Sequence, residues 1–145
     1  MDDARDRKYW RIRKKTVFIA LGVILVITVP IFTWLFGEMH AAGKALDAFS
    51  QMLIAKDYDG AYRSASKEFQ EVASRQEFIE QQTGLCVKLG PLKEVKRGNT
   101  ETVFDSKGGF TTIDAVFVFE TAERRFSIKM KKIGNIWRLY SYQEL

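Results

Sequence analysis

An α+β domain behind one membrane-spanning helix is the fold class predicted for this 145-residue chain. Three observations predict it. Residues 16–37 form an uncharged apolar run, apolar residues from Ala42 to Thr83 recur at helical spacing, and from Leu89 onward they alternate with the period of a strand.

The apolar run comes first. Fourteen of its twenty-two residues are Val, Ile, Leu or Phe. As a helix it would extend about 33 Å, enough for a hydrocarbon core of about 30 Å. Each large apolar residue favours insertion by roughly 0.3–0.6 kcal/mol, which outweighs Gly22, Thr28 and Pro30. Pro30 withholds the amide that the Val26 carbonyl would accept, so the span is expected to bend there and offer a face to protein contacts. It lacks a Gly-x-x-x-Gly pair and any charge, so close self-association is not favoured. Tyr9 and Trp10 at one border and Trp34 at the other frame it with rings that prefer the headgroup layer.

Charge predicts the orientation. Seven Lys/Arg, among them Arg11, Arg13, Lys14 and Lys15, precede the run with three Asp, whereas sixteen Lys/Arg and fifteen Asp/Glu follow it. Basic flanks stay cytoplasmic. The net charge of +5 therefore belongs mostly to that flank and is no nucleic-acid signature. A cleaved signal peptide begins in the same way, but its apolar part runs about 7 to 15 residues. The small pair Ala41 and Gly43 lies beyond Glu38 and His40, so an uncleaved anchor is expected. A lipoprotein is disfavoured because the one cysteine, Cys86, is far from the run. The organisation reads as a cytoplasmic basic segment over 1–15, a transmembrane helix over 16–37 and an extracytoplasmic α+β domain over 38–145. With a single Cys, that domain is held by its core rather than by an internal disulfide.

Within the domain, Ala42, Leu46, Phe49 and Leu53 make one helical stripe. Asp57 caps a short helix carrying Tyr58, Ala61, Tyr62 and Ala65. Ser74 and Glu77 form a capping box that opens a helix over 75–83, with Gly84 as its expected stop. A strand is expected over 89–97, its start confined by Gly90-Pro91 to an edge or bend, and 100–104 extends or follows it. Asp105 to Gly109 reads as a turn. Residues 110–121 are apolar on both faces, which suits a central strand. In 125–133, Phe126, Ile128 and Met130 alternate with charged or polar residues, and Gly134-Asn135 is a hairpin signal before a closing strand over 136–142.

The order of elements, Asp57-Tyr58-Asp59-Gly60-Ala61-Tyr62, Leu89-Gly90-Pro91-Leu92 and the ending Gly134-Asn135-Ile136-Trp137-Arg138-Leu139-Tyr140-Ser141-Tyr142 resemble the nuclear-transport-factor-like, or cystatin-like, roll. Many small bacterial proteins carry this domain behind a single N-terminal helix. The resemblance covers 42–145 and implies helices packed on a curved antiparallel sheet, but no particular reaction. In layout the chain is similar to cytochrome oxidase assembly factors and to a secretion-system assembly subunit.

No catalytic constellation stands out. His40 is the one histidine, near the expected headgroup layer, so it reads as an interfacial residue. One His and one Cys cannot supply a zinc site, Lys107-Gly108-Gly109 lacks phosphate-loop spacing, and no cofactor or metal is expected. Enzymes on this fold bury an acid or Tyr between sheet and helices, which makes Asp114 and Glu120 the carboxylates to consider. Tyr58, Tyr62, Tyr140 and Tyr142, with Asp114, are the candidates for a cleft or interaction site. Arg124, Arg125, Lys129, Lys131 and Lys132 read as a basic outer edge. The expectation is a non-catalytic accessory or assembly subunit of a larger membrane complex in respiratory, photosynthetic or secretion machinery. It would lie in the bacterial inner membrane with its N-terminus cytoplasmic, Asp2 and Asp3 being poor transit-peptide residues. The alternative is a tethered ligand-binding or enzymatic roll.

Overall fold

The computed structural model describes residues 3–105 and 108–145, and the side chains of 19–104 and 108–145. The side chains of Tyr9, Trp10, Arg11, Arg13, Lys14 and Lys15 lie outside the described residues, as do Ser106 and Lys107 of the expected turn. The architecture is α+β. Four helices, α1 (Asp3–Ile54), α2 (Tyr58–Ser64), α3 (Lys67–Val72) and α4 (Arg75–Leu89), precede four strands, β1 (Leu92–Asp105), β2 (Gly108–Phe119), β3 (Glu123–Ile133) and β4 (Ile136–Glu144). Two compact units divide the chain, Met1–Glu38 and Met39–Leu145.

The first unit is helical throughout its described length. From Ile19 onward α1 contains an 18-residue window of mean hydropathy 2.5, none of it buried, so it is long and apolar enough to cross a membrane. Four consecutive residues point to all sides of a helix, and Ile24, Leu25, Val26 and Ile27 are each 56–74% exposed. No side is withdrawn, which is the pattern of a helix solvated by an apolar medium. Among the described residues its hydroxyls are satisfied internally: Thr28 Oγ1 donates to the Ile24 carbonyl at 2.8 Å, and Thr33 Oγ1 reaches those of Val29 and Pro30 at 3.0 and 2.9 Å. The helix runs on through Pro30.

In the second unit, the last turns of α1 bury Ala42, Leu46, Phe49 and Leu53 to 3% exposure or less. The helix ends in a Schellman arrangement: Lys56 N–H donates to the Leu53 carbonyl and Asp57 N–H to that of Met52, at 3.1 and 2.8 Å. Lys56 takes the left-handed conformation (φ 61°) that glycine usually supplies. Asp57 then caps α2 by accepting from Gly60 N–H at 2.9 Å. A Cβ on Gly60 would lie 2.2 Å from Asp57 Oδ2, so this close cap needs glycine.

Two departures from the sequence reading stand out. Helix α3 was not anticipated; Ser66, fully buried, caps it through a 3.2 Å bond from Phe69 N–H, while its own N–H donates to the Leu139 carbonyl. Helix α4 does open on the Ser74–Glu77 capping box, but it passes Gly84 and ends at Gly90, whose φ is 80°. Space is open around Gly84, so nothing there requires a break, and Gly90-Pro91 is the stronger stop. Of the two readings left open for 100–104, the structure has extension: β1 is continuous from Leu92 to Asp105, with an irregularity between Arg97 and Thr100.

The strands form an antiparallel meander in the order β1-β2-β3-β4. Further register shifts lie at Leu92/Glu94 and Lys129/Met130, and such shifts curve a sheet. β2 alternates strictly: Ile113, Ala115, Phe117 and Phe119 are buried, while Asp114, Val116 and Val118 are half-buried on the other face. Phe126, Ile128 and Met130 of β3 and Trp137 and Leu139 of β4 complete the buried face, at 5% exposure or less. Gly134, at φ 61°, turns β3 into β4.

Candidate functional site

Between helices and sheet the interior holds a cluster of interlocking rings, and beside it a cleft of about 330 Å³ opens between α1 and the β3–β4 end, lined by Phe49, Met52, Met130, Trp137 and Leu139 among others. Phe78, 1% exposed, lies 5.8–6.4 Å from the rings of Phe49, Tyr62, Phe69 and Tyr142, and Phe126 lies 4.6 Å from Phe117. Edge-on pairs of this kind add to what burial alone contributes. The polar tips serve as braces. Tyr142 accepts from Gln82 Nε2 at 2.6 Å and donates to Gln81 Oε1 at 2.8 Å, and Tyr62 donates to the Ala73 carbonyl at 2.8 Å. Burial raises the Tyr142 phenol above its ordinary value, the Gln82 bond partly offsetting it. A phenol so placed stays protonated and cannot serve as a base at neutral pH.

The five cleft candidates are therefore not gathered in one place. Tyr62 and Tyr142 belong to the ring cluster. Tyr58 lines a small cleft of about 260 Å³ with Cys86, whose Sγ is 3.4 Å from its hydroxyl; burial and that bond push the phenol up to about 12. Asp114 and Tyr140 stand apart from the buried core. Asp114 is on the half-buried face of β2 opposite Ser127, and the Tyr140 ring packs edge-on against Phe110 at 5.3 Å. Lys129 Nζ sits 4.5 Å above the Phe110 ring, a cation–π contact. Trp34 and Pro30 lie in the first unit, Trp34 half exposed. His40 is exposed, and among the described residues no group of three or more His, Cys, Asp or Glu could hold a metal ion.

The basic run also needs correcting: β3 is an inner strand, between β2 and β4, and its cations have different partners. Arg124 pairs with Glu144 at 3.6 Å, and Lys131 pairs with Glu68 of α3. The bond from Lys131, with one from its own backbone, holds the Glu68 carboxyl below the usual range. Glu120 is exposed and 3.3 Å from Lys93, so it is a rim carboxylate.

A larger concavity of about 870 Å³ opens between α2–α3 and the β3–β4 hairpin. Arg63 and Lys67 line it from the helices, and Lys131, Lys132 and Arg138 from the hairpin. Arg138 Nη1 donates to the Ser64 carbonyl at 3.3 Å, tying the walls together. Only Lys131 and Lys132 of these were singled out from sequence. The signal for the opposite wall was Ser66 as a cap, one residue before Lys67, and it is easily lost in so short a helix.

No family model matches the chain, and no curated protein matches it.

Proposed function

We propose that the protein is a single-pass inner-membrane protein, N-terminus cytoplasmic, whose extracytoplasmic domain is a cystatin-like or nuclear-transport-factor-like roll. It acts as a non-catalytic accessory or assembly subunit of a larger membrane complex. The observation that carries this reading is the ring cluster: Phe49, Phe69, Phe78, Phe117, Phe126 and Tyr142 pack together and take up much of the volume that a ligand-binding roll would leave open. Recognition then falls mainly to the outside, where the charged concavity and the Lys129–Phe110–Tyr140 cluster lie. The uniformly apolar helix supports the membrane assignment, and the positive flank over 1–15 supports the orientation.

The test is purification of the tagged full-length chain from membranes in mild detergent, with identification of what co-migrates on size exclusion. A stoichiometric integral membrane partner is expected; recovery of the chain alone under several mild detergents overturns the reading. Protease added outside spheroplasts should degrade the domain and spare an N-terminal tag.

A further inference from the structure

The geometry points to the concavity between α2–α3 and the β3–β4 hairpin as a docking groove for an extended, acidic segment of a partner protein. Resting on the accessory-subunit reading, it names the chemistry of the contact. Among the described residues, five cations line the groove against the two carboxylates Glu68 and Glu71. The cations come from both walls, Arg63 and Lys67 on one and Lys131, Lys132 and Arg138 on the other, so a chain lying between them meets positive charge on either side. A volume of about 870 Å³ exceeds what a single anion needs and lies within the ordinary range for bound organic ligands.

The groove already contains one example of the recognition proposed. Glu68 places its carboxylate on Lys131 Nζ, and that lysine is held among the Phe110 and Tyr140 rings at 5.9 and 5.7 Å. Lys131 is four-fifths buried, so this pair is screened less than the surface pairs elsewhere on the domain. An incoming carboxylate would meet a more open cation at Lys67, which is exposed on the opposite wall.

Resident acids discriminate between anions. Glu68 and Glu71 are three residues apart on α3 and share one helix face. A continuous polyanion or a dense anionic lipid surface would be pressed against both, whereas a peptide with spaced carboxylates can put neutral residues beside them. Like-charge contacts of this sort set specificity more than affinity.

The test uses the full-length protein in phosphatidylcholine nanodiscs, with a fluorescein-labelled decapeptide alternating Glu and Ser as the probe and its Gln/Ser counterpart as control. The Glu peptide should bind, with affinity falling steeply as salt rises, and the Gln peptide should not. Lys67→Gln with Lys132→Gln should weaken binding on the order of tenfold, and Lys67→Gln alone should weaken it a few-fold while leaving the melting temperature unchanged. Lys93→Gln with Lys96→Gln, on β1, should leave binding unchanged. Glu71→Gln should strengthen it a few-fold, an outcome that misfolding cannot imitate. Equal loss in both lysine pairs, or equal binding of the two peptides, overturns the groove. So does preference for phosphatidylglycerol vesicles over the Glu peptide, which would make the ligand a lipid headgroup. If Lys67→Gln with Lys132→Gln co-purifies its membrane partner undiminished, the groove assignment fails and the accessory-subunit reading stands. Selective peptide binding by a chain that recovers no partner supports the groove and overturns that reading.

Discussion

The two halves of α1 have similar side chains and opposite burial. From Ile19 to Phe36 the large apolar residues face outward on every side, Phe32 being 60% exposed, whereas Ala42, Leu46, Phe49 and Leu53 form one stripe that is almost wholly buried. The difference lies in the spacing. Where apolar residues occupy all directions, a single packed neighbour leaves most of them uncovered; where they recur every three or four positions, one packed neighbour covers them all. Lys44, Asp47 and Lys56 fall between the stripe residues, and no charge interrupts the first half.

The largest effect separates the halves directly. Phe49→Ala should lower the stability of the domain by about 3–5 kcal/mol, because a 3%-exposed ring leaves a cavity among Phe78 and its neighbours. Phe32→Ala should leave the same thermal melt unmoved; a comparable drop would mean that Phe32 packs against protein. Next in size is Val26→Asp, expected to disfavour insertion by about 2.5–3.5 kcal/mol at a helix centre without altering the melt. Alkaline extraction of membranes measures it, and undiminished retention would count against a spanning helix.

Smaller changes sharpen where the patterned half stops. Lys56→Gly should stabilise the domain by up to about 1 kcal/mol, since the left-handed C′ position disfavours a side chain. Lower stability would show that the lysine chain contributes contacts outweighing that relief. The smallest effect is acid sensitivity. Residues 16–37 have no titratable group, whereas Asp59, Glu68 and Glu77 of the domain are held below the usual carboxylate range by bonds from Arg75, Lys131 and Ser74 respectively. A lowered folded-state value contributes stability that is complete above the unfolded value of about 4 and lost as pH falls through the folded values. The melting temperature should therefore fall modestly below about pH 4, and Glu77→Gln should flatten that fall.

What the sequence made legible was local. The Asp57 and Ser74 caps, the alternation at Phe126, Ile128 and Met130 and the Gly134-Asn135 turn each need only a few neighbouring residues to be read. Helix α3, at six residues, is shorter than two turns and leaves no periodic trace. Gly84 looked like a stop because glycine is a poor helix former, but fifteen residues of α4 outvote one. The groove was hidden because its cations come from segments some seventy residues apart, Ser64 and Arg138 meeting only when β4 is in place. The cleft tyrosines were legible as aromatics but not as partners, since the ring cluster depends on how Tyr142 of β4 meets Phe78 of α4 and Phe126 of β3.

The bond from Ser66 N–H to the Leu139 carbonyl has a consequence for how copies of this domain avoid one another. β4 is a terminal strand of the sheet, and the junction between α2 and α3 occupies its rim at Leu139, with Arg138 clasping Ser64 beside it. Strand-to-strand aggregation is thereby steered to the opposite rim, β1. That strand is a poor template: it loses register twice, between Leu92 and Glu94 and between Arg97 and Thr100, and carries Lys93, Glu94, Lys96 and Arg97 in succession around a single valine. One rim is plugged by backbone and the other is roughened by charge, so copies of the domain can be crowded together and remain unpolymerised.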